Sequence, residues 1–214
     1  MTIDRKNLLK SILDSLGRID HIALADIPNI DLYMDQVTTF MDTHLKSSTR
    51  YPGDDKILTK TMINNYAKND LLPPPVKKKY SREHILLLIF IYYYKGIVSI
   101  NDIQTLLKPL TEKYFHTGGS LDLGAIYEEV FSLEQDEIAD LQENIVRKFT
   151  ISQETFKDVP DEDKEVLQLF SFISMLSYDV YVKKLLIEKM IDSFKTMATG
   201  TERAKPGKDK PDPS

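Results

Sequence analysis

Hydrophobic positions along this chain recur mainly every three or four residues, the spacing that lines one face of an α-helix. Leu8, Leu9, Ile12, Leu13 and Leu16 form a first apolar stripe, which Gly17 ends. After Pro28, Asp31 is the candidate N-cap of a second helix, in which Tyr33, Val37, Phe40, Met41 and Leu45 follow helical spacing up to about Lys46. Residues 47–57, with Ser47, Ser48, Pro52, Gly53 and Asp54, read as a loop. Thr59 caps a short helix to about Asn69, and Pro73, Pro74 and Pro75 forbid its continuation. A basic, extended segment leads to Ser81, which caps an apolar helix to Lys95. Ser99 with Asp102 three residues on makes a capping box for a helix to Leu107.

Past Gly118 and Gly119, read as a linker, the pattern lengthens. Acidic amphipathic helices are expected over 122–149, with a break near Ser132, and over 161–198. The last fifteen residues, Gly200 to Ser214, hold three Pro and no large apolar side chain. They cannot offset the entropy of ordering and are expected to be disordered. The organisation that follows is an N-terminal helix at 1–24, a first unit at 25–117, an acidic helical region at 118–199 and a tail at 200–214.

Composition narrows this picture. The chain has 214 residues, enough for one or two domains with a real core. It contains no Cys, so disulfides, thiolate-bound metals and cysteine nucleophiles are excluded. Zero Trp and 8 Gly argue for an all-α fold. Ile85 to Tyr94 is apolar but is half the roughly 20 residues a spanning helix needs. Val166 to Val182 is interrupted by Gln168, serines and Asp179. Neither reads as a membrane span, and with no export signal over Met1 to Lys10 the protein is expected to be cytoplasmic.

Charge changes the picture more. The net charge is −5, yet Lys46 to Lys95 carries ten Lys or Arg against four acids, a local +6 that leaves −11 elsewhere. The acid excess concentrates between Ser120 and Lys164, with thirteen acids against four bases. Binding fields are local, so the basic middle is where a polyanion would bind.

Within that middle, a helix starting after Thr59 turns Met62, Ile63 and Tyr66 inward and places Thr61, Asn64, Asn65 and Lys68 on one outer face. Asn can pair bidentately with adenine in a major groove, and Lys60 or Lys68 could meet a phosphate. Lys77, Lys78, Lys79, Tyr80 and Arg82 follow, a basic arm suited to tracking a nucleic-acid backbone. A helix followed by a basic wing is the outline of a winged helix-turn-helix.

The run from Leu58 to Pro75, with Tyr66 followed by Leu71-Leu72-Pro73, resembles the recognition helix and exit turn of the MerR family. Lys78-Lys79-Tyr80-Ser81-Arg82-Glu83-His84-Ile85 is similar to that family's wing and the start of its next helix, and Ser99-Ile100-Asn101-Asp102-Ile103 to the opening of its fourth. The chain is also similar to a bacterial group, the YkrK-like proteins, in which a modified MerR-like domain is followed by a helical region. The resemblance covers about fifty residues and implies a transcription regulator that binds double-stranded DNA. Where the family usually has Arg-Tyr, this chain has Asn64-Asn65. An unknown effector or protein partner is left open.

Plainer readings stand beside these. Taken alone, Lys77 to Lys79 would be a solvated charge run, Asn64 and Asn65 exposed helix residues, and Tyr92, Tyr93 and Tyr94 packing residues rather than a base-stacking platform. His21, His44, His84 and His116 are scattered and form no zinc pair, no phosphate-binding Gly-rich loop occurs, and Asp161-Glu162-Asp163 reads as a helix start. No catalytic set, cofactor or metal site is expected, hence no enzyme. In the last helix Leu169, Ile173, Leu176, Val180, Lys183, Ile187, Met190 and Phe194 form a heptad seam. Leu169, Ile173, Leu176, Val180, Ile187 and Met190 are the candidate dimerisation residues, against the alternative of a core helix in a monomer. Two other functions remain open: a helical protein-interaction adaptor and an excisionase-like DNA architectural factor.

Overall fold

From His84 to Ile91 eight consecutive residues are buried, none more than 3% exposed, so every face of this helix is covered. Each large aliphatic side chain removed from water there contributes about 1.5–3 kcal/mol, which makes the segment the centre of the fold. A computed structural model of the chain describes residues 5–16, 21–46, 49–50, 57–119 and 121–200. Among them are seven α-helices and one small antiparallel sheet: α1 (Arg5–Leu16), β1 (Leu32–Tyr33), α2 (Met34–Leu45), α3 (Lys60–Lys68), β2 (Lys79–Tyr80), α4 (Arg82–Tyr94), α5 (Ile100–Tyr114), α6 (Leu123–Gln153) and α7 (Asp161–Gly200). The central helix α4 packs with β2, α5 and α6, while α2 packs with α3 and both strands.

Several expectations are corrected. The second helix starts at Met34, because Leu32 and Tyr33 pair with Tyr80 and Lys79 as a strand and the Gln36 side chain accepts the Tyr33 amide at 2.8 Å. Asp31 therefore caps nothing there. The helix after Ser99 continues through Pro109 to Tyr114 rather than ending at Leu107. Leu107 is buried and Leu110 packs on the core, which holds both sides of the proline in place. No break occurs at Ser132, whose hydroxyl donates to the Glu129 carbonyl at 2.8 Å inside an unbroken α6. The tail from 201 lies outside the described residues, as does most of the loop at 47–57.

The change in sequence character at 118 is not a break in the core. Leu123, Tyr127 and Phe131 of α6 and Ile191 of α7 belong to the same buried cluster as α2, α3 and α4. Phe131 lies 4.5 Å from Tyr127 and 5.5 Å from Phe90 between ring centroids, and the Tyr127 hydroxyl donates to the Ile22 carbonyl at 2.6 Å. Tyr92, Tyr93 and Tyr94 are half-buried against this core, as packing residues.

Farther out, α6 and α7 form an antiparallel pair with a smaller interior of their own. Phe149 meets Phe172 edge-on at 5.4 Å, Lys148 pairs with Asp179, and the buried Gln168 donates to the carbonyls of Gln153 and Thr155 at 2.8 and 2.9 Å. The seam read from the sequence does not coincide with this buried face. Ile187 packs on the core and Leu169 and Leu176 are half-buried, but Ile173, Val180 and Met190 are 52%, 66% and 62% exposed.

Candidate nucleic-acid interface

The surface is built on α3. Thr59 caps it, its hydroxyl accepting the Met62 amide at 3.2 Å, and Ile63 and Tyr66 are buried beneath it. Lys60, Thr61, Asn64, Asn65 and Lys68 are all exposed, on the face the helical spacing predicts. The helix ends before the prolines are reached. Asp70 takes the left-handed conformation (φ 54°), and the Leu71 amide returns to the Tyr66 carbonyl at 2.9 Å. This is a Schellman closure, with Tyr66 and Leu71 buried as its apolar contact.

Side chains from later helices hold α3 at both ends. Lys95 Nζ donates to the Ile57 carbonyl at 2.9 Å, and Gln104 Nε2 donates to the Asn69 carbonyl at 3.1 Å. Burial lowers the Lys95 pKa from its ordinary value. At the start of α3, Lys60 pairs with Asp35 in the first turn of α2. An open cleft of about 420 Å³ runs beside this point, lined by Thr38, Thr39, Asp42, Leu58, Thr59, Lys60 and Thr61.

The basic arm is a tight hairpin rather than an extended segment. The amides and carbonyls of Val76 and Lys79 exchange hydrogen bonds at 2.9 and 3.1 Å. Lys77 and Lys78 form the two-residue loop between them, both left-handed at φ 49° and 64°. Paired positive φ values match a type I′ turn, whose usual occupants are Asn and Gly. A lysine held in that region costs on the order of 1 kcal/mol. Both lysines are exposed, while Lys79 is half-buried over the Tyr33 ring, its Nζ 5.2 Å from the centroid.

Two predicted contacts do not reach this surface as expected. Tyr80 is 2% exposed and burial raises its pKa, so it is a core residue beneath the hairpin. A strand of two residues puts alternate side chains on opposite faces, and Tyr80 turns inward with Leu32. Arg82 is half-buried and its guanidinium donates to the Leu24 carbonyl, while its Nε is buried with no partner among the described residues. Its stem braces the fold. Sequence reasoning missed the reverse case, Tyr33, which is 54% exposed on the outer face.

Beneath the hairpin lies His84. Its Nδ1 accepts the Ser81 amide at 3.0 Å, which leaves the ring hydrogen on the buried Nε2. Burial, helped by His116, lowers its pKa to about 4, against the opposing pull of the Pro74 and Pro73 carbonyls and Asp31. His84 is thus a neutral ring wedged between the base of the hairpin, Tyr80, and Phe115 after α5. His116 pairs instead with Glu83. Among the described residues no group of His, Asp or Glu could hold a metal ion, and no helix is long and apolar enough to cross a membrane.

The protein defined by these features is a mostly helical one, with a small antiparallel sheet whose second strand ends a lysine-tipped hairpin and with an exposed polar helix, sheet and helix both packing on α2. It belongs to the family described as "Domain of unknown function (DUF1836)", whose profile matches residues 22–130. That span runs from the residue bonded by Tyr127 to the first part of α6, and so takes in β1, the hairpin and the core around α4. The match assigns no MerR or other helix-turn-helix family. Neither a curated protein nor a solved structure matches the chain.

Proposed function

We propose that this protein is a transcription regulator that binds duplex DNA in the manner of a winged helix-turn-helix. In this reading α3 lies in the major groove and the Val76–Lys79 hairpin follows the adjacent backbone. The observation that carries it is the pairing of two exposed surfaces of different chemistry. The outer face of α3 offers neutral hydrogen-bonding side chains at its centre, Thr61, Asn64 and Asn65, suited to base edges. The hairpin, whose strand packs on α2 as α3 does, offers the exposed Lys77 and Lys78 at its tip, suited to phosphates. An adaptor that bound protein would have little use for a net +6 over fifty residues.

A second copy of the chain completes the proposal. Val166, Phe170, Ile173 and Val180 are each more than half exposed and, with Ser177 between the last two, follow steps of four and three along α7. That is the spacing of a helix that pairs with another helix. One recognition helix and one wing make a small footprint, and pairing them raises the effective concentration of the second half-site contact.

The test is a salt titration with a duplex selected by the protein from a random pool. Each phosphate contact contributes about 0.9 to the log-log slope. The Lys77→Ala, Lys78→Ala, Lys79→Ala variant is expected to lose up to about 2.7 of slope on all sequences alike. An unchanged slope and affinity would remove the hairpin from the interface.

A further inference from the structure

We infer that Tyr33 is a DNA-contacting residue, its ring packing against a deoxyribose or base edge of the bound duplex between the hairpin and α3. This rests on the reading of the surface as a DNA interface and adds a non-ionic contact to it.

The position of the ring carries the inference. Tyr33 pairs with Lys79, and Lys79 bridges in turn to Val76, so the three residues form one row across the sheet. Directly paired residues share a face, here the one opposite the buried Leu32 and Tyr80. Two residues beyond Tyr33, Asp35 holds Lys60 at the start of α3. The ring therefore sits on the outer face beside Lys79, and the chain that carries it runs directly into the first turn of α2, where Asp35 holds Lys60 of α3. Val76, 62% exposed and bridged to Lys79, extends the apolar area along this row.

The surrounding charge selects the occupant. Lys77, Lys78 and Lys79 crowd one flank, and Asp35 is engaged by Lys60, which leaves Asp31 as the acid nearest Tyr33 in the chain. An apolar peptide has no use for three lysines beside the ring. A duplex presents phosphates and, between them, the apolar C–H surface of each deoxyribose, against which an aromatic ring packs irrespective of sequence.

The experiment compares the full-length protein with Tyr33→Ala, Tyr33→Phe and Lys79→Ala on the duplex selected by the wild type from a random pool. Tyr33→Ala is expected to bind about tenfold more weakly at every salt concentration with an unchanged salt slope, and Tyr33→Phe to bind as the wild type. Lys79→Ala is expected to lower the slope by about 0.9. A 5-iododeoxyuridine duplex is expected to photocrosslink to the peptide containing Tyr33. Wild-type affinity in Tyr33→Ala would overturn the inference. So would a slope loss of about 0.9 in that variant, since the ring would then only hold Lys79 in place. Crosslinks confined to other peptides would count against it equally. Failure of the wild type to select or bind any duplex would sink the DNA reading itself, a result distinct from all of these.

Discussion

In α3 the inward residues are Ile63 and Tyr66 and the outward ones are Thr61, Asn64, Asn65 and Lys68. The first half of α7 carries apolar residues on both faces. Gln168 and Phe172 face the interior, while Val166, Phe170, Ile173 and Val180 face solvent. The α3 pattern is complete in a single chain, since its apolar side is covered and its polar side is free to meet a ligand. The α7 pattern is incomplete. Contiguous apolar surface of this kind marks a contact still to be made, and a helix can carry two apolar faces of which the fold uses only one. Periodicity in a sequence reports that a face is to be buried, without saying whether its own chain or another copy will bury it.

The largest expected effect follows from that uncovered second face. Ile173→Glu combined with Val180→Glu places charges at two positions more than half exposed, so circular dichroism should be unchanged. Sedimentation should shift from dimer to monomer, and affinity for a two-site duplex should fall by about 100-fold or more as the second contact becomes intermolecular. A wild-type protein that sediments as a monomer at micromolar concentration and still binds its site tightly would break the comparison.

The next effect concerns the base of the hairpin. His84 is held neutral, with its pKa lowered from 6.5 to about 4. Between those values the unfolded chain binds a proton that the folded one refuses, so stability is full above pH 6.5 and falls as the pH drops toward 4. The loss should reach about 3 kcal/mol, measured by urea unfolding at pH 7 and pH 4. His84→Gln keeps an acceptor for the Ser81 amide in the capping-box position and does not titrate. Most of the acid sensitivity should vanish in it. An equally steep pH dependence in that variant would move the acid-labile group elsewhere.

Asn64→Ala and Asn65→Ala should each cost about 1–3 kcal/mol on the preferred duplex wherever the side chain makes a bidentate base contact, and much less on random DNA. Footprinting on both substrates measures the difference. Equal losses on the two would reduce the outer face of α3 to a non-specific surface and erase its contrast with α7.

The parts of this fold that were legible in the sequence are those with strong local chemistry. Thr59, Ser81 and Ser99 each precede a helix that begins at the next residue, and the α3 outer face was readable from spacing alone. The parts that were not legible depend on partners distant in the chain. β1 has two residues, too few to show alternation, and exists only because β2 pairs with it 46 positions later. Tyr80 looked like part of a solvated basic run because the one-residue alternation that buries it needs the sheet to be known. The α3 terminus carries no Gly, since Asp70 takes the left-handed position, and the hairpin loop carries neither Asn nor Gly. In each case tertiary contacts override a local signal.

That last departure supports a further test. Lys77 and Lys78 occupy a turn whose two positive φ values favour Asn-Gly, so their presence costs stability that nothing in the turn itself returns. Exchanging them, Lys77→Asn with Lys78→Gly, should relieve the strain at both positions. Part of the gain is offset because glycine is freer in the unfolded chain, which leaves a net stabilisation of about 0.5–1 kcal/mol. The same exchange removes two charges from the hairpin tip and should lower the DNA salt slope by up to about 1.8. Denaturant unfolding and salt titration of the one variant therefore move in opposite directions if the lysines are kept for binding at the expense of stability. If unfolding shows a loss instead, the lysines stabilise the hairpin, and the contrast between a surface that spends stability on a ligand and one that awaits a partner fails on its first side.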